Sequence, residues 1–464
     1  MKRITVDYNN MMTEMLGKNG ISETELLGLE PRLEAAFDAV EANRGKGMCG
    51  WMDLPYNQEE IANDIIATAN GVREWAESFV VLGIGGSALG PIAVFQALCH
   101  LHHNELPKEK RNAPKFYVED NVDPERMAAL FDVIDLRTTC FNIITKSGAT
   151  SETMSQYLIV LDALKKAGLD VSKHIIATTD HKKGNLIKIA KEYNLKTFYI
   201  EDGVGGRFSE LCPVGLLPAA VLGIDIKAML SGAAFMDKIC NEKDYRKNPA
   251  LCAAALQYIA YNKSRNVSVM MPYADSLKYI ADWYCQIWAE SLGKSVTKDG
   301  KPAFVGQTPV KSLGVTDQHS QVQLYTEGPF DKVITLIGVE NYRTVTGIPH
   351  GAEDIPDVSF LGGHTQNELI AAEMKATAYA LTKAGRMNFT ITLPEVSAET
   401  IGQLLYFFEM QTAFSGELLD IDTYNQPGVE EGKKATYALL GKNGYDEKRK
   451  ELRDAPQAQS KYII

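Results

Sequence analysis

Long apolar runs are absent from this chain of 464 residues. The longest nearly pure apolar stretch, from Leu211 to Ile224, is interrupted by Pro213 and Pro218. It falls short of the roughly 20 apolar residues that a membrane-spanning helix needs. The N-terminus reaches the acidic Asp7 without an apolar segment before it, so we expect no signal peptide and no membrane association.

Paired cysteines are absent as well. The seven cysteines are scattered along the chain and form no CxxC pair: Cys49, Cys99, Cys140, Cys212, Cys240, Cys252 and Cys285. Such a set is typical of reduced thiols and predicts a cytoplasmic location without a disulfide framework. The segment Cys99-His100-Leu101-His102-His103 resembles a metal cluster, but no second ligand group has matching spacing. We therefore expect no metal site.

Positive charge is scarce. The chain has 48 Lys and Arg against 59 Asp and Glu, which gives a net charge of −11. A general nucleic-acid binder needs a basic face, so the net negative charge argues against that class, and we expect no nucleic-acid partner. A small anionic ligand remains compatible with local positive loops. Hydrophobic residues make up 45% of the chain, as in ordinary globular proteins, and its length suits two or three domains.

From about residue 75, short apolar runs alternate with helical patterns. The runs that we interpret as strands are Phe79–Gly83, Phe116–Glu119, Cys140–Thr145, His174–Thr179, Thr197–Ile200, Val267–Met271, Phe304–Gln307, Val333–Gly338 and Asn388–Leu393. This succession predicts two doubly wound α/β domains, each with a parallel-rich sheet flanked by helices. The predicted division is a helical segment 1–50, a first domain 51–210, a second domain 211–435 and a tail 436–464.

A glycine-rich turn follows the first predicted strand. It contains Gly83, Gly85, Gly86 and Ser87 and leads into a helix. Glycines let the backbone approach an anion closely, and the helix N-terminus offers unpaired N–H groups. Two alternatives remain at this point, a dinucleotide-binding loop and a purely structural tight turn.

Hydroxyl groups crowd into a second turn, after the third predicted strand. Thr145, Lys146, Ser147 and Thr150 lie within six residues and precede another helix. A phosphomonoester has several oxygens that need donors, whereas a dinucleotide fold does not need this loop. The alternative is an elaborate helix cap, which accounts for one or two of the hydroxyls. We therefore predict that these four residues, with Gly86 and Ser87, bind a phosphate.

Taken together, the motifs resemble a known family. The Gly-Ile-Gly-Gly-Ser and Lys-Ser-Gly-x-Thr loops resemble sugar isomerase domains, and five further segments narrow the resemblance to the phosphoglucose isomerase family in its bacterial form: Gly205–Ser209, Gln286–Lys294, Asp317–Ser320, Gly416–Leu419 and Tyr424–Lys433. The similarity runs from about residue 50 to 435. It implies reversible, cofactor-free isomerisation of glucose 6-phosphate and fructose 6-phosphate through a cis-enediol, in glycolysis and gluconeogenesis.

The resemblance also implies roles for single residues. Glu290 matches the base that moves a proton between C2 and C1, and Gln286 lies on the same helical face, near the sugar hydroxyls. Arg207 matches the cation that stabilises the enediolate. Without the resemblance, Glu290 would be interpreted as a solvated residue at a helix end and Arg207 as part of a surface ion pair.

Ring opening requires an acid at the ring oxygen. The resemblance assigns this step to His319 and Lys433 and adds Gln426 to the substrate-binding residues. In the family this histidine enters the site of the neighbouring subunit, which implies a homodimer. Of the corresponding motif in the animal enzymes, the Asp317-Gln318-His319 segment contains only the Gln-His pair.

Some alternatives stay open from the sequence. Glu210 stands where the family usually has an apolar or small residue, and it either pairs with Arg207 or faces solvent. A bifunctional glucose/mannose phosphate isomerase, a non-catalytic sugar-phosphate sensor and a nicotinamide dehydrogenase are the rival functions. The sensor would need the phosphate loops but not Glu290, His319 and Lys433.

Overall fold

Two five-stranded sheets organise the fold in the computed structural model, which describes residues 2–464. The strands in chain order are β1 (Thr5–Asp7), β2 (Ser78–Leu82), β3 (Lys115–Glu119), β4 (Thr139–Ile144), β5 (Ile175–Asp180), β6 (Lys196–Ile200), β7 (Val267–Pro272), β8 (Lys294–Val296), β9 (Pro302–Val305), β10 (Thr308–Lys311), β11 (Lys332–Asn341) and β12 (Asn388–Glu395). The longer helices are Glu23–Asn43, Glu59–Trp75, Leu89–Leu98, Pro124–Val133, Ser151–Lys166, Leu186–Glu192, Pro213–Val221, Ile226–Cys240, Pro249–Asn262, Lys278–Leu292, Gln366–Lys383, Ala398–Leu418, Glu430–Leu439 and Asp446–Asp454. The predicted α/β class is confirmed.

The first sheet is parallel throughout, with strand order β3-β2-β4-β5-β6. Strands β2, β4 and β5 are buried along their whole length, as expected for a sheet with helices on both faces. From β2 the chain moves to β3 on one side, and from β3 it crosses back past β2 to β4 on the other side. In such doubly wound sheets ligands bind at this reversal point, outside the carboxyl ends of the two strands.

The second sheet has the order β1-β12-β11-β7-β10, and only β1 is antiparallel to its neighbour. The helical prediction for the first residues is wrong at Thr5–Asp7, because these residues pair with Thr390–Thr392 of β12. Ile4, next to this strand, is buried and donates its backbone N–H to the Gln403 side chain. The longest helix within the predicted helical segment 1–50 is Glu23–Asn43.

The predicted strand Phe304–Gln307 is wrong in its bounds and in the sheet to which it belongs. Residues Pro302–Val305 pair with β8 in a separate two-stranded sheet, and the edge strand of the second sheet begins at Thr308. Gly306 separates the two strands with a φ of +127°, and a Cβ there would lie 2.9 Å from the Leu292 carbonyl oxygen. Glycine is favoured here because of the positive φ and because a side chain would collide with the end of helix Lys278–Leu292.

Helix Ala398–Leu418 lies in the interior and packs against helix Ile226–Cys240. The two backbones approach closely at a pair of glycines. A Cβ at Gly232 would lie 2.0 Å from the Glu399 oxygen, and one at Gly402 would lie 2.0 Å from the Met229 oxygen. Among residues 2–464, no helix combines the length and the apolar character needed to cross a membrane.

Residues 424–464 form a separate unit from the chain that precedes them. This unit contains helices Glu430–Leu439 and Asp446–Asp454, joined by ion pairs from Lys448 to Glu431 and Glu451. The predicted tail therefore includes regular structure. The strands β2–β6 fall within the predicted first domain and β7–β12 within the second. The domain limits themselves stay a prediction.

Candidate active site

A cavity of about 490 Å³ lies at the carboxyl end of the first sheet, at the reversal point between β2 and β4. The turns after these neighbouring strands contribute half of its twelve lining residues. The structure brings together here the predicted phosphate-binding residues Ser87, Thr145, Lys146, Ser147 and Thr150. They meet because parallel neighbouring strands end at the same edge of the sheet.

The second turn is folded by its own hydroxyls. The Thr145 Oγ1 and Thr150 Oγ1 atoms are 3.0 Å apart, and the Gly148 and Ala149 amides donate to Thr145 Oγ1 and Ser147 Oγ. Thr150 is the N-cap of helix Ser151–Lys166, but its side chain makes no capping bond to any residue of the described range. The capping interpretation therefore does not explain the hydroxyls. One of the two threonine hydroxyls uses its proton in the contact between them, whereas the other one and the Ser147 hydroxyl each keep a proton to donate to an anion.

The Lys146 ammonium contacts protein rather than the open cavity. It donates to the carbonyl oxygens of Glu201 at 2.9 Å and Val204 at 3.0 Å. This lysine thereby ties the hydroxyl-rich turn to the segment that leads to Arg207. Its positive charge lies at the cavity wall, whereas direct contact with a phosphate stays a prediction.

Gly86 is needed because two backbones touch there. A Cβ on Gly86 would lie 2.0 Å from the Gly206 carbonyl oxygen. Gly85 has a φ of +58°, and a Cβ there would lie 3.1 Å from Gln286 Nε2. The glycine-rich turn consequently packs against both the Arg207 segment and helix Lys278–Leu292.

Glu290 lies between a cation and an amide. Its Oε1 is 3.4 Å from Arg207 Nη1, and its Oε2 accepts a hydrogen bond of 3.1 Å from Gln286 Nε2. Arg207 is itself fixed, because Nε donates to Ser291 Oγ at 2.7 Å and Nη2 donates to the Thr423 oxygen at 2.6 Å. The Arg207 side chain is only 4% exposed, but that of Glu290 is 28% exposed. The carboxylate is thus oriented and still accessible to a small molecule.

His319 lies apart from this cavity. It ends the short 3₁₀ turn Thr316–His319, which follows edge strand β10 of the second sheet, and it is exposed. Among the described residues, it is not part of the lining of the 490 Å³ cavity. Asp317 stabilises the turn by accepting hydrogen bonds from Leu313 N at 2.7 Å and Ser320 Oγ at 2.5 Å.

Lys433 and Gln426 belong to the unit 424–464. The Lys433 ammonium is 2.8 Å from Glu430 Oε1, one helical turn earlier, and both side chains are half exposed. This hydrogen bond lowers the pKa of Glu430. Gln426 is half-buried and precedes the short 3₁₀ turn Pro427–Val429. The roles of both residues stay predictions.

Comparison with known proteins identifies the family of this chain. A family model described as phosphoglucose isomerase matches residues 69–455. A glucose-6-phosphate isomerase of Carboxydothermus hydrogenoformans is 54% identical over 450 residues, which cover 97% of each chain. The chain belongs to the phosphoglucose isomerase family. A second member, the glucose-6-phosphate isomerase of Rubrobacter xylanophilus, is 43% identical over 96% of this chain and 100% of its own.

Two solved structures share the fold of this chain. A hypothetical protein from Thermus thermophilus superposes with a TM-score of 0.85 at 37% identity, over 95% of this chain and 100% of that one. A glucose-6-phosphate isomerase from Chlamydia trachomatis shares the fold, with a TM-score of 0.81 at 22% identity over 95% of this chain and 93% of that one. The predicted resemblance to the phosphoglucose isomerase family is confirmed.

Glu210 neither pairs with Arg207 nor faces solvent, the two alternatives that the sequence left open. Its carboxyl group is buried between Gly90 and Gly215. A Cβ on Gly90 would lie 2.0 Å from Glu210 Oε2, and a Cβ on Gly215 would lie 2.4 Å from Glu210 Oε1. Neither oxygen has a hydrogen-bond partner within residues 2–464. Burial, and then the nearby carboxyl of Glu409, raise the pKa of Glu210 well above its usual range. Burial also raises the pKa of Glu409.

We expect Glu210→Gln to stabilise the protein at alkaline pH. The raised pKa means that the folded state keeps a proton that the unfolded state loses above about pH 4.3, so the free energy of unfolding falls as pH rises. Glutamine has the same shape but does not titrate. The variant should gain about 1 kcal/mol or more near pH 8 and little below about pH 4.

Thermal unfolding at several pH values measures this effect. The matched control is Glu109→Gln, which makes the same chemical change at an exposed carboxylate. A Glu210→Gln gain of the same size at both pH values would show that titration of this group is not its cause.

The histidine-rich segment has a structural role. His103 is buried, its Nε2 lies 2.9 Å from the Pro114 oxygen, and its ring packs edge-on against Phe95. No group of three or more His, Cys, Asp or Glu side chains within residues 2–464 is arranged to hold a metal ion.

Sequence reasoning missed one residue that contacts the backbone of Glu290. Lys294, which directly follows the helix of Glu290, is buried, and its ammonium donates to the backbone oxygens of Glu290 and Ser291. The available signal was a lysine within the last turn or just beyond a helix, where cations contact the final carbonyls.

Proposed function

We propose that this chain catalyses the reversible isomerisation of D-glucose 6-phosphate and D-fructose 6-phosphate. The observation that carries the proposal is the Glu290 carboxylate, oriented by Arg207 and Gln286. The carboxylate is close to the hydroxyl-lined cavity. Gly206 lines this cavity, and the next residue, Arg207, contacts the carboxylate. Family membership and the names of its relatives support the same reaction.

In the proposed reaction, the cavity holds the phosphate and Glu290 acts on the open-chain sugar. The carboxylate removes the C2 proton of the aldose, and the C1 oxygen takes up the electron pair as the anionic oxygen of an enediolate. The C2 hydroxyl then passes its proton to the C1 oxygen. Glu290 then returns a proton to C1 as the carbonyl forms at C2. Arg207 stays protonated throughout, so it stabilises the anionic intermediate without losing a proton to it.

The closed sugar ring must open before this step. We propose His319 and Lys433 for proton transfer at the ring oxygen, with Gln426 binding the substrate. The exposure of His319 on the second sheet supports its insertion into the site of a second copy, which makes the enzyme a homodimer. We also propose a cytoplasmic location and a place in glycolysis and gluconeogenesis, in line with the unpaired spacing of the cysteines.

A coupled assay on the purified chain tests the proposed function. Fructose 6-phosphate should form from glucose 6-phosphate, and the reverse reaction should proceed with the same preparation, without added metal or nicotinamide. Absence of turnover in both directions would overturn the proposal. The names of the relatives above support glucose phosphate alone, so we propose neither mannose activity nor a non-catalytic role.

The phosphate contacts give a separate prediction. Replacing both Ser147 and Thr150 with alanine should weaken binding of a non-isomerisable hexitol 6-phosphate by about 1–3 kcal/mol, the usual effect of losing donors to a charged group. Titration calorimetry measures the affinity. The control is Ser155→Ala. Ser155 is exposed, lies in the helix that begins directly after Thr150, and donates its hydroxyl to the backbone oxygen of Glu152. Equal affinities for the double variant and the wild type would remove these hydroxyls from phosphate binding.

A further inference from the structure

Lys294 is buried at the C-terminal end of the helix that carries Glu290. Its ammonium donates to the backbone oxygens of Glu290 at 2.8 Å and Ser291 at 2.6 Å. The residue is only 7% exposed. The last carbonyls of a helix have no intrahelical partners, and the negative end of the helix dipole favours a cation there. Lys294 therefore fixes the backbone of the final turn of helix Lys278–Leu292.

The same two residues are held from the other side by Arg207. Its guanidinium contacts the Glu290 carboxylate at 3.4 Å and the Ser291 hydroxyl at 2.7 Å. Arg207 thus acts on the side chains, whereas Lys294 acts on the backbone. A shift of this turn would move the Glu290 carboxylate away from its position between Arg207 and Gln286.

We propose that Lys294 is a positioning residue for Glu290: by binding the two carbonyls of this turn, it holds the carboxylate where a C2 proton must be removed. The inference rests on the proposed isomerase function and adds a residue to it. Misplacing a reacting group by about 1 Å can lower a rate about a hundredfold. Loss of the lysine should accordingly reduce kcat far more than substrate binding, because the phosphate loops lie on a different sheet.

The charge of Lys294 adds a pH dependence to this role. Burial, and then the positive charge of Arg207, lower the pKa of Lys294 to about 8, against the opposing effects of Asp422 and Glu290. Near neutral pH the amine is protonated, and above about pH 8 it is increasingly neutral. Deprotonation removes a positive charge from a site that stabilises an anionic intermediate. We therefore expect kcat of the wild type to fall as pH rises through this range.

Two variants and one control test the proposal. Lys294→Met keeps much of the side-chain volume but cannot bind the carbonyls. Lys294→Arg keeps a cation that does not titrate in this range. Lys301→Met is the control, since the Lys301 side chain is 78% exposed and its ammonium forms an ion pair of 2.6 Å with the exposed Asp299. The measurements are kcat and KM for glucose 6-phosphate from about pH 6.5 to 9.5, and the affinity for hexitol 6-phosphate.

We expect Lys294→Met to lower kcat about ten- to a hundredfold near pH 7, with hexitol 6-phosphate affinity within about twofold of the wild type. Lys294→Arg should recover part of kcat and lose the alkaline decline, and Lys301→Met should match the wild type. A folded Lys294→Met with normal kcat would overturn the proposal. So would parallel loss of kcat and hexitol phosphate affinity in that variant.

The wild type alone provides a second decision, in case both Lys294 variants fail to fold. A kcat that stays constant across this pH range would show that the charge of Lys294 does not affect the reaction, and it would overturn the pH dependence proposed for this residue. An inactive wild type would overturn the proposed function, and with it this inference. An active wild type with unaffected Lys294 variants would overturn the inference alone.

Discussion

Glu290→Gln should reduce kcat for glucose 6-phosphate by about 10²–10⁴-fold, the contribution of a positioned general base. Glutamine keeps the length of the side chain and a hydrogen-bond acceptor for Gln286, but it has no basic oxygen. Arg207 keeps its bonds to the Ser291 hydroxyl and the Thr423 oxygen, so the surrounding structure should persist. A coupled assay measures kcat, and thermal unfolding with hexitol 6-phosphate binding verifies the fold and the phosphate site.

The comparison needs a conservative variant and a control. Glu290→Asp should retain a small part of the activity, because a carboxylate remains but lies one methylene short of the substrate carbon. The exposed Glu74→Gln variant should behave as the wild type. Near-normal turnover in Glu290→Gln would remove this residue from the role of base, and Glu152 or Glu430 would be tested next.

Mixing two inactive variants should restore activity. If His319 serves the site of the partner, a dimer of one His319→Ala chain and one Glu290→Gln chain contains one complete site and one site that lacks both groups. After random exchange, about half of the dimers are mixed, so about a quarter of the wild-type activity should return. The activity of the mixture is measured after subunit exchange and compared with that of each variant alone.

Two differently tagged copies of His319→Ala, exchanged in the same way, provide the control for this experiment. They should remain inactive at the level of either copy alone. If the His319→Ala and Glu290→Gln mixture also stays inactive after exchange has been verified, His319 acts within its own chain, and the proposed homodimeric site is wrong.

The strands that could be predicted are those whose signal is local. Ser78–Leu82 and Thr139–Ile144 are short apolar runs, buried on both faces, and the turns that follow them contain the glycines and hydroxyls of the phosphate site. Adjacency of these turns follows from strand order in a doubly wound sheet. Fold class and much of the cavity were therefore accessible from the sequence.

Features that depend on distant partners were not accessible. Strand Thr5–Asp7 is only three residues long and exists because it pairs with Thr390–Thr392. The burial of Glu210 depends on the space left by Gly90 and Gly215. In both cases the deciding neighbour lies outside the window in which a sequence pattern can be recognised.

The most direct test of the central claim follows the hydrogens of the substrate. Glucose 6-phosphate is incubated with the purified wild-type chain in D₂O and observed by proton NMR. We predict that fructose 6-phosphate appears and that the C2 proton signal of the glucose 6-phosphate pool disappears over repeated turnovers, because a carboxylate that carries the proton exchanges it with solvent between C2 and C1. Absence of fructose 6-phosphate, or interconversion with the C2 proton fully retained, would contradict proton transfer through Glu290.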